Sequence, residues 1–112
     1  MGLSPKNASF MNGVPELLIL AELARGEMYG YQLVRAVQAR TGNAISLSEG
    51  CVYPLVHSLE RKGWLTSRQM TAAGRNRVYY RLTPKGKRRL DSLTSRWGLL
   101  TQAISSALTR TV

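Results

Sequence analysis

SEGCVYPLVHSLERKGWL, from Ser48 to Leu65, carries two faces of opposite character. Val52, Leu55, Val56 and Leu59 stand at i, i+3, i+4 and i+7, the repeat of a helix that buries one stripe. At about 100° per residue, Gly50, Pro54, His57 and Arg61 fall on the other side, which offers a gap, a ring, an imidazole and a guanidinium to another molecule. Ser48 is a candidate N-cap, with Ser46 and Glu49 as a competing capping box, and Lys62 before Gly63 supplies a cationic last turn and a stop. Pro54 interrupts the pattern. Inside a helix it removes a backbone hydrogen bond at a cost of about 3 kcal/mol, so the helix either kinks there or begins nearer Tyr53.

Upstream, Val14 to Arg25 reads as a helix with Pro15 in its first turn, Glu16 near the positive end, and Arg25-Gly26 closing it. Leu17, Leu18, Ile19, Leu20, Ala21, Leu23 and Ala24 make it apolar nearly all round, so a second surface must cover it. Tyr29-Gly30-Tyr31 leads a second helix to about Arg40, with Leu33, Val34 and Val37 facing inward and Gly42-Asn43 as its stop. Ile45 and Leu47 return the chain to the core. The helix from Ser48 is then third in a trio, in helix-turn-helix order.

After Gly63 the period shortens. Trp64–Met70 and Arg77–Thr83 are β-rich, and in the second run Val78, Tyr80 and Leu82 alternate with Arg77, Tyr79 and Arg81. Thr71 to Asn76 is expected to form a six-residue tip, and Arg68, Arg75, Arg77 and Arg81 give the hairpin four arginines and no acid. Three helices and a basic hairpin define a winged helix, in which the third helix enters the major groove and the wing reaches the adjoining backbone. Thr83-Pro84 then opens a last helix, where Leu90, Leu93, Trp97, Leu100, Ile104 and Ala107 alternate spacings of three and four as a heptad seam does. Thr83 to Thr109 would span about 40 Å, too long to pack wholly on its own domain. Lys85, Lys87, Arg88 and Arg89 crowd the positive end of this helix, a conflict that a bound phosphate would relieve. The expected class is thus mainly α with a small β-hairpin: an arm at 1–13, a winged helix-turn-helix at 14–83 and a dimerisation helix at 84–112.

The 112 residues, 44% hydrophobic, suit one domain with a modest core. Residues 1–60 hold four basic residues against five acids, a net −1, whereas residues 61–112 hold twelve against Asp91 alone, a net +11. A cationic surface kept only for solubility would intersperse the signs; this segregation points to a polyanion. Cys51 is the single cysteine, so no internal disulfide exists and a reducing compartment is the natural reading. No run approaches the ~20 apolar residues of a membrane span, and residues 1–13 lack a signal peptide's apolar core, so a cytoplasmic protein is expected. Enzyme chemistry finds no footing: the six acids form no evident pair, and Cys51 and His57 stand about 120° apart around one helix. Neither a metal site nor a cofactor is implied.

The carriers GVPELLILAEL, MYGYQLVRAV, LSEGCVYPLVHSLERKGWL and GRNRVYYRLTPKG, followed by Trp97, resemble in this order the PadR family of bacterial transcriptional regulators, in its short form with a single C-terminal helix. The resemblance runs from about Asn12 to the end of the last helix. It implies a homodimer, a third helix reading the major groove, repression of nearby genes and, in many members, release from DNA by a small aromatic or planar compound. Two places depart from the family pattern: Cys51-Val52 replaces the common Thr-Leu, and Asn76 and Val78 dilute the basic wing.

The expected contacts to double-stranded DNA are Ser48, Gly50, Tyr53, Pro54, His57 and Arg61 on the helix and Arg75, Arg77 and Tyr79 on the wing. For Tyr53 the competing reading is a ring that seals the core. Leu17, Leu90, Leu93, Trp97, Leu100 and Ile104 are the expected dimer interface, where Trp97 either fills space or stacks a flat effector. Phe10 and Met11 are candidates to complete that pocket. Cys51 reads as a small apolar filler rather than a redox switch. The alternative function is a winged helix that binds DNA without sequence preference, or structured RNA; a protein-interaction winged helix stands third.

Overall fold

The computed structural model describes residues 13–109; the expected arm lies outside them except for Gly13, as do Phe10 and Met11. In chain order the elements are α1 (Val14–Leu23), β1 (Met28–Tyr29), α2 (Gly30–Arg40), α3 (Glu49–Arg61), β2 (Leu65–Ala72), β3 (Arg75–Leu82) and α4 (Pro84–Leu108). They form a winged helix with a long C-terminal helix, as the patterning predicts. Ile19, Leu20, Leu33, Val37, Leu47, Val52, Val56 and Leu59 make its core, each at most 1% exposed.

α1 ends two residues before the expected Arg25, because the amides of Arg25 and Gly26 turn back onto the carbonyls of Glu22 and Leu23. Its least expected buried residue is Glu22, 3% exposed, whose carboxylate takes Arg40 Nε of α2 at 3.2 Å. α2 is closed by Gly42 and Asn43, both at positive φ, and Thr41 Oγ1 ties the turn by donating to the Val37 carbonyl and accepting from the Ile45 amide.

α3 resolves the question of Pro54. Ser48 caps the helix, its Oγ accepting from the Cys51 amide at 3.2 Å, so the rival capping box of Ser46 is not used. The helix begins at Glu49 and runs through Pro54 unbroken. Val52, Val56 and Leu59 are buried and Leu55 half-buried, the stripe read from the spacing.

The sheet differs from expectation in two respects. Met28 and Tyr29 pair antiparallel with Tyr80 and Tyr79, so β1 adds a third strand and the order is β1-β3-β2. The hairpin tip is two residues, not six: β2 and β3 pair out to Ala72 and Arg75, and only Ala73 and Gly74, at φ 52° and 75°, make the turn. Along β3 the alternation holds at Tyr80, which is buried, but Val78 is exposed because the wing has left the body of the protein by that point.

α4 is capped by Thr83, whose Oγ1 accepts from the Gly86 amide at 3.0 Å. A methyl group at Gly86 would collide with the carbonyl oxygen of Trp64, so glycine is what lets the helix start against the turn between α3 and β2. Leu90 and Leu93 are half-buried against the core, whereas Trp97, Leu100 and Ile104 are 43%, 50% and 49% exposed. No helix among the described residues is long and apolar enough to cross a membrane.

Candidate nucleic-acid interface

Between α2, α3 and β3 the fold leaves an open groove of about 600 Å³. α3 brings Tyr53 and His57 to one wall, and β3 brings Arg75 and Arg77 to the other. Tyr29 and Tyr31, flanking Gly30 at the start of α2, form its floor and were not singled out by spacing. The ring of Tyr53 lies over Gly30 so closely that any side chain there would strike it, yet the residue as a whole is 37% exposed. Tyr53 therefore both covers the α2–α3 contact and presents an edge to the groove.

The wing wall is built by stacking. Arg77 lies over the Tyr29 ring at 4.3 Å, and Tyr29 meets Tyr79 edge to face with centroids 5.4 Å apart. Arg77 is consequently half-buried and held in place, whereas Arg75 at the tip is exposed. Tyr79 does not line the groove; its ring supports Tyr29 from beside it. Tyr80, buried beneath, has its phenol pushed up by burial and by the nearby carboxylate of Glu60, and it stays protonated. Arg35, another residue that the spacing did not mark, stands over Tyr31 at 5.9 Å.

Ser48, Gly50, Pro54 and Arg61 do not line the groove; all four are exposed on α3. Arg61 makes no ion pair among the described residues. Arg68 behaves otherwise. Its guanidinium meets both carboxylate oxygens of Glu27 at 2.8 Å, which holds the Glu27 carboxyl below its usual range. The hairpin thus has an acid after all, supplied 41 residues upstream, a distance that hides the pair from any local reading.

The cations at the start of α4 are also partly spoken for. Lys85 Nζ donates to the Lys62 carbonyl at 3.1 Å, and Arg89 pairs with Glu16 at 2.8 Å, so two of the four cations crowded there have partners within the chain. Cys51 packs against the core, and burial pushes its thiol up, which leaves it protonated and a poor nucleophile. Trp97, with Leu17, Leu93, Arg96 and Leu100, lines a second groove of about 170 Å³ between α1 and α4.

Three helices, a basic wing and an exposed third helix beside an aromatic, cationic groove define a DNA-binding winged-helix protein of the transcription-regulator class. Residues 19–92 match the family described as the transcriptional regulator PadR-like family, and the chain belongs to it. The transcriptional regulator Rv3488 of Mycobacterium tuberculosis is 36% identical over 78 residues, 70% of each chain. A PadR family transcriptional regulator from Eggerthella lenta superposes with a TM-score of 0.78 at 30% identity, covering 95% of this chain and 91% of that one. A PadR-like regulator from Bacillus cereus gives 0.80 at 26% identity, covering 93% and 100%.

Proposed function

We propose that the protein is a repressor that binds a two-fold operator as a homodimer, acting in the cytoplasm. Residues 14–83 are the DNA-binding unit and residues 84–112 the dimerisation arm, of which 110–112 lie outside the described residues. The observation that carries this reading is the groove between α3 and the wing, whose walls combine the His57 imidazole, the Tyr53 ring, Arg75 and an Arg77 locked by stacking. With α3 in the major groove, such a cleft receives one phosphodiester strand, and Ser48, Gly50, Pro54 and Arg61 face the bases beside it. Tyr31 and Arg35 extend the cationic, hydroxyl-bearing rim at the start of α2, and Tyr79 acts through Tyr29.

Dimerisation is supported by the exposed Trp97, Leu100 and Ile104 on α4, an apolar row continuous with Leu17, Leu90 and Leu93. Two half-sites one helical turn apart, about 34 Å, suit that symmetry. Arg61→Ala tests the base-reading role: specific binding falls more than non-specific binding, by about 1–3 kcal/mol. Equal loss of both reduces Arg61 to a phosphate contact.

The groove at Trp97 supports an effector site for a flat aromatic compound. Two such grooves joined across the dimer axis reach the lower end of the ~300–1,000 Å³ typical of small-molecule pockets. Planar dyes are expected to quench tryptophan emission saturably in the parent. Unchanged quenching in Trp97→Ala, where Trp64 remains, removes the site.

A further inference from the structure

α4 leaves the body of the protein as an arm. Every described residue from Thr94 to Thr109 is exposed, so the direction of the helix is set within its first three turns. There the helix is anchored to the end of α3 several times over. The Thr83 amide donates to the Trp64 carbonyl at 3.1 Å, Thr83 Oγ1 donates to the Gly63 carbonyl at 2.7 Å, and Lys85 reaches the Lys62 carbonyl. Arg89 adds a third element. Its Nε donates to Glu16 of α1 at 2.8 Å while its flat guanidinium lies over the Trp64 ring at 4.5 Å.

We propose that Arg89, held by Glu16 and Trp64, is a positioning residue that fixes the angle between α4 and α3 and thereby sets the half-site spacing the dimer accepts. The proposal rests on the DNA-binding homodimer proposed above and adds to it what determines operator geometry. The lever is long. Leu108 stands about 36 Å along the axis from Pro84, so a 5° tilt at the root moves the far end by about 3 Å, close to the rise of one base pair. A joint that holds the angle to a few degrees therefore discriminates spacings one base pair apart.

Arginine suits the position because both of its features are in use: the planar face stacks while the edge donates to a carboxylate. The side chains of Arg89 and Glu16 are only 28% and 17% exposed, so salt screens the pair less than it does a surface contact. Lysine would keep the charge but lose the stack, and methionine would keep only part of the apolar stem.

The test uses the full chain with Cys51→Ser and Ala72→Cys, spin-labelled on the wing, and measures the distance distribution between the two subunits' labels. A narrow distribution is expected for this parent, one about twice as wide for added Arg89→Met, and an intermediate width for Arg89→Lys. Inserting one base pair at the centre of the footprinted operator should cost the parent about tenfold in affinity and Arg89→Met less than about threefold. Glu16→Ala tests the same joint by removing the acceptor that holds Arg89, and serves if Arg89→Met does not fold. Unchanged widths and unchanged spacing preference in a folded Arg89→Met or in Glu16→Ala overturn the proposal. A parent that shows no distance between subunits and sediments as a monomer overturns the dimer reading beneath it.

Discussion

Pro54 withholds the amide proton that the Gly50 carbonyl would accept one turn earlier in α3, and both residues are exposed. Packing requires neither of them: a Cβ at Gly50 would meet only Ser48 Oγ, at 3.7 Å. A helix that gives up backbone bonding on its open face without gaining core contact is shaped for what docks there. Pro54→Ala is therefore expected to raise stability by about 1–3 kcal/mol in a thermal melt while weakening operator binding. An alanine variant that binds its operator as tightly as the parent would make Pro54 a neutral surface residue. Glu27 poses the opposite case, an acid that spends a wing arginine internally. Glu27→Gln frees Arg68 for phosphate and is expected to steepen the salt dependence of DNA binding by about one ion. The Glu27 carboxyl is held down in the folded protein, so its stabilising contribution is present above the usual carboxylate range and is lost as pH falls through the depressed value. Melts of parent and Glu27→Gln should differ at neutral pH and converge in acid; a gap that is constant with pH would assign the effect to packing.

At the level of elements, the parts with a long period were legible and the parts made by distant contact were not. Val52, Val56 and Leu59 announce the buried stripe of α3, and Thr83-Pro84 announces α4. β1 is only Met28 and Tyr29, too short to alternate, and it exists because β3 offers an edge; nothing local encodes it. The same contact brings Tyr29 under Arg77, which is why the floor of the groove escaped a reading that found its two walls. The tip is two residues rather than six because Ala72, Arg75 and Asn76 carry weak strand signals, and ladder pairing across the hairpin overrides them. Two glycines distinguish a structural contact from a functional one. Gly86→Ala places a methyl group against the Trp64 backbone, which cannot yield, and is expected to destabilise the protein by about 1–3 kcal/mol. Gly30→Ala strikes the Tyr53 ring, which can swing into the groove, so it should weaken DNA binding more than it lowers the melting temperature. The reverse order in melts and titrations would contradict the assignment of Tyr53 to the interface.

Across the whole molecule, charge and shape divide the labour. The net +11 of residues 61–112 lies partly on the wing, while α4 extends a body whose longest dimension is 61 Å against 31 and 21 Å. Such an arm, apolar along one row and exposed from Thr94 to Thr109, is poorly stabilised as a monomer and gains most from a second copy. The exposed seam was visible in the spacing of Leu93, Trp97, Leu100 and Ile104; the joint that aims it, built from Glu16, Trp64 and Arg89, was not, because its members lie 48 and 25 residues apart in sequence. Sequence-specific DNA binding is tested by a titration of the full chain onto the duplex upstream of its own gene, beside a scrambled duplex, at about 50 and 200 mM salt. The native duplex is expected to bind more tightly by a large factor that survives the higher salt. Equal binding to both duplexes, lost together as salt rises, would contradict operator recognition and leave the basic half as a general polyanion surface.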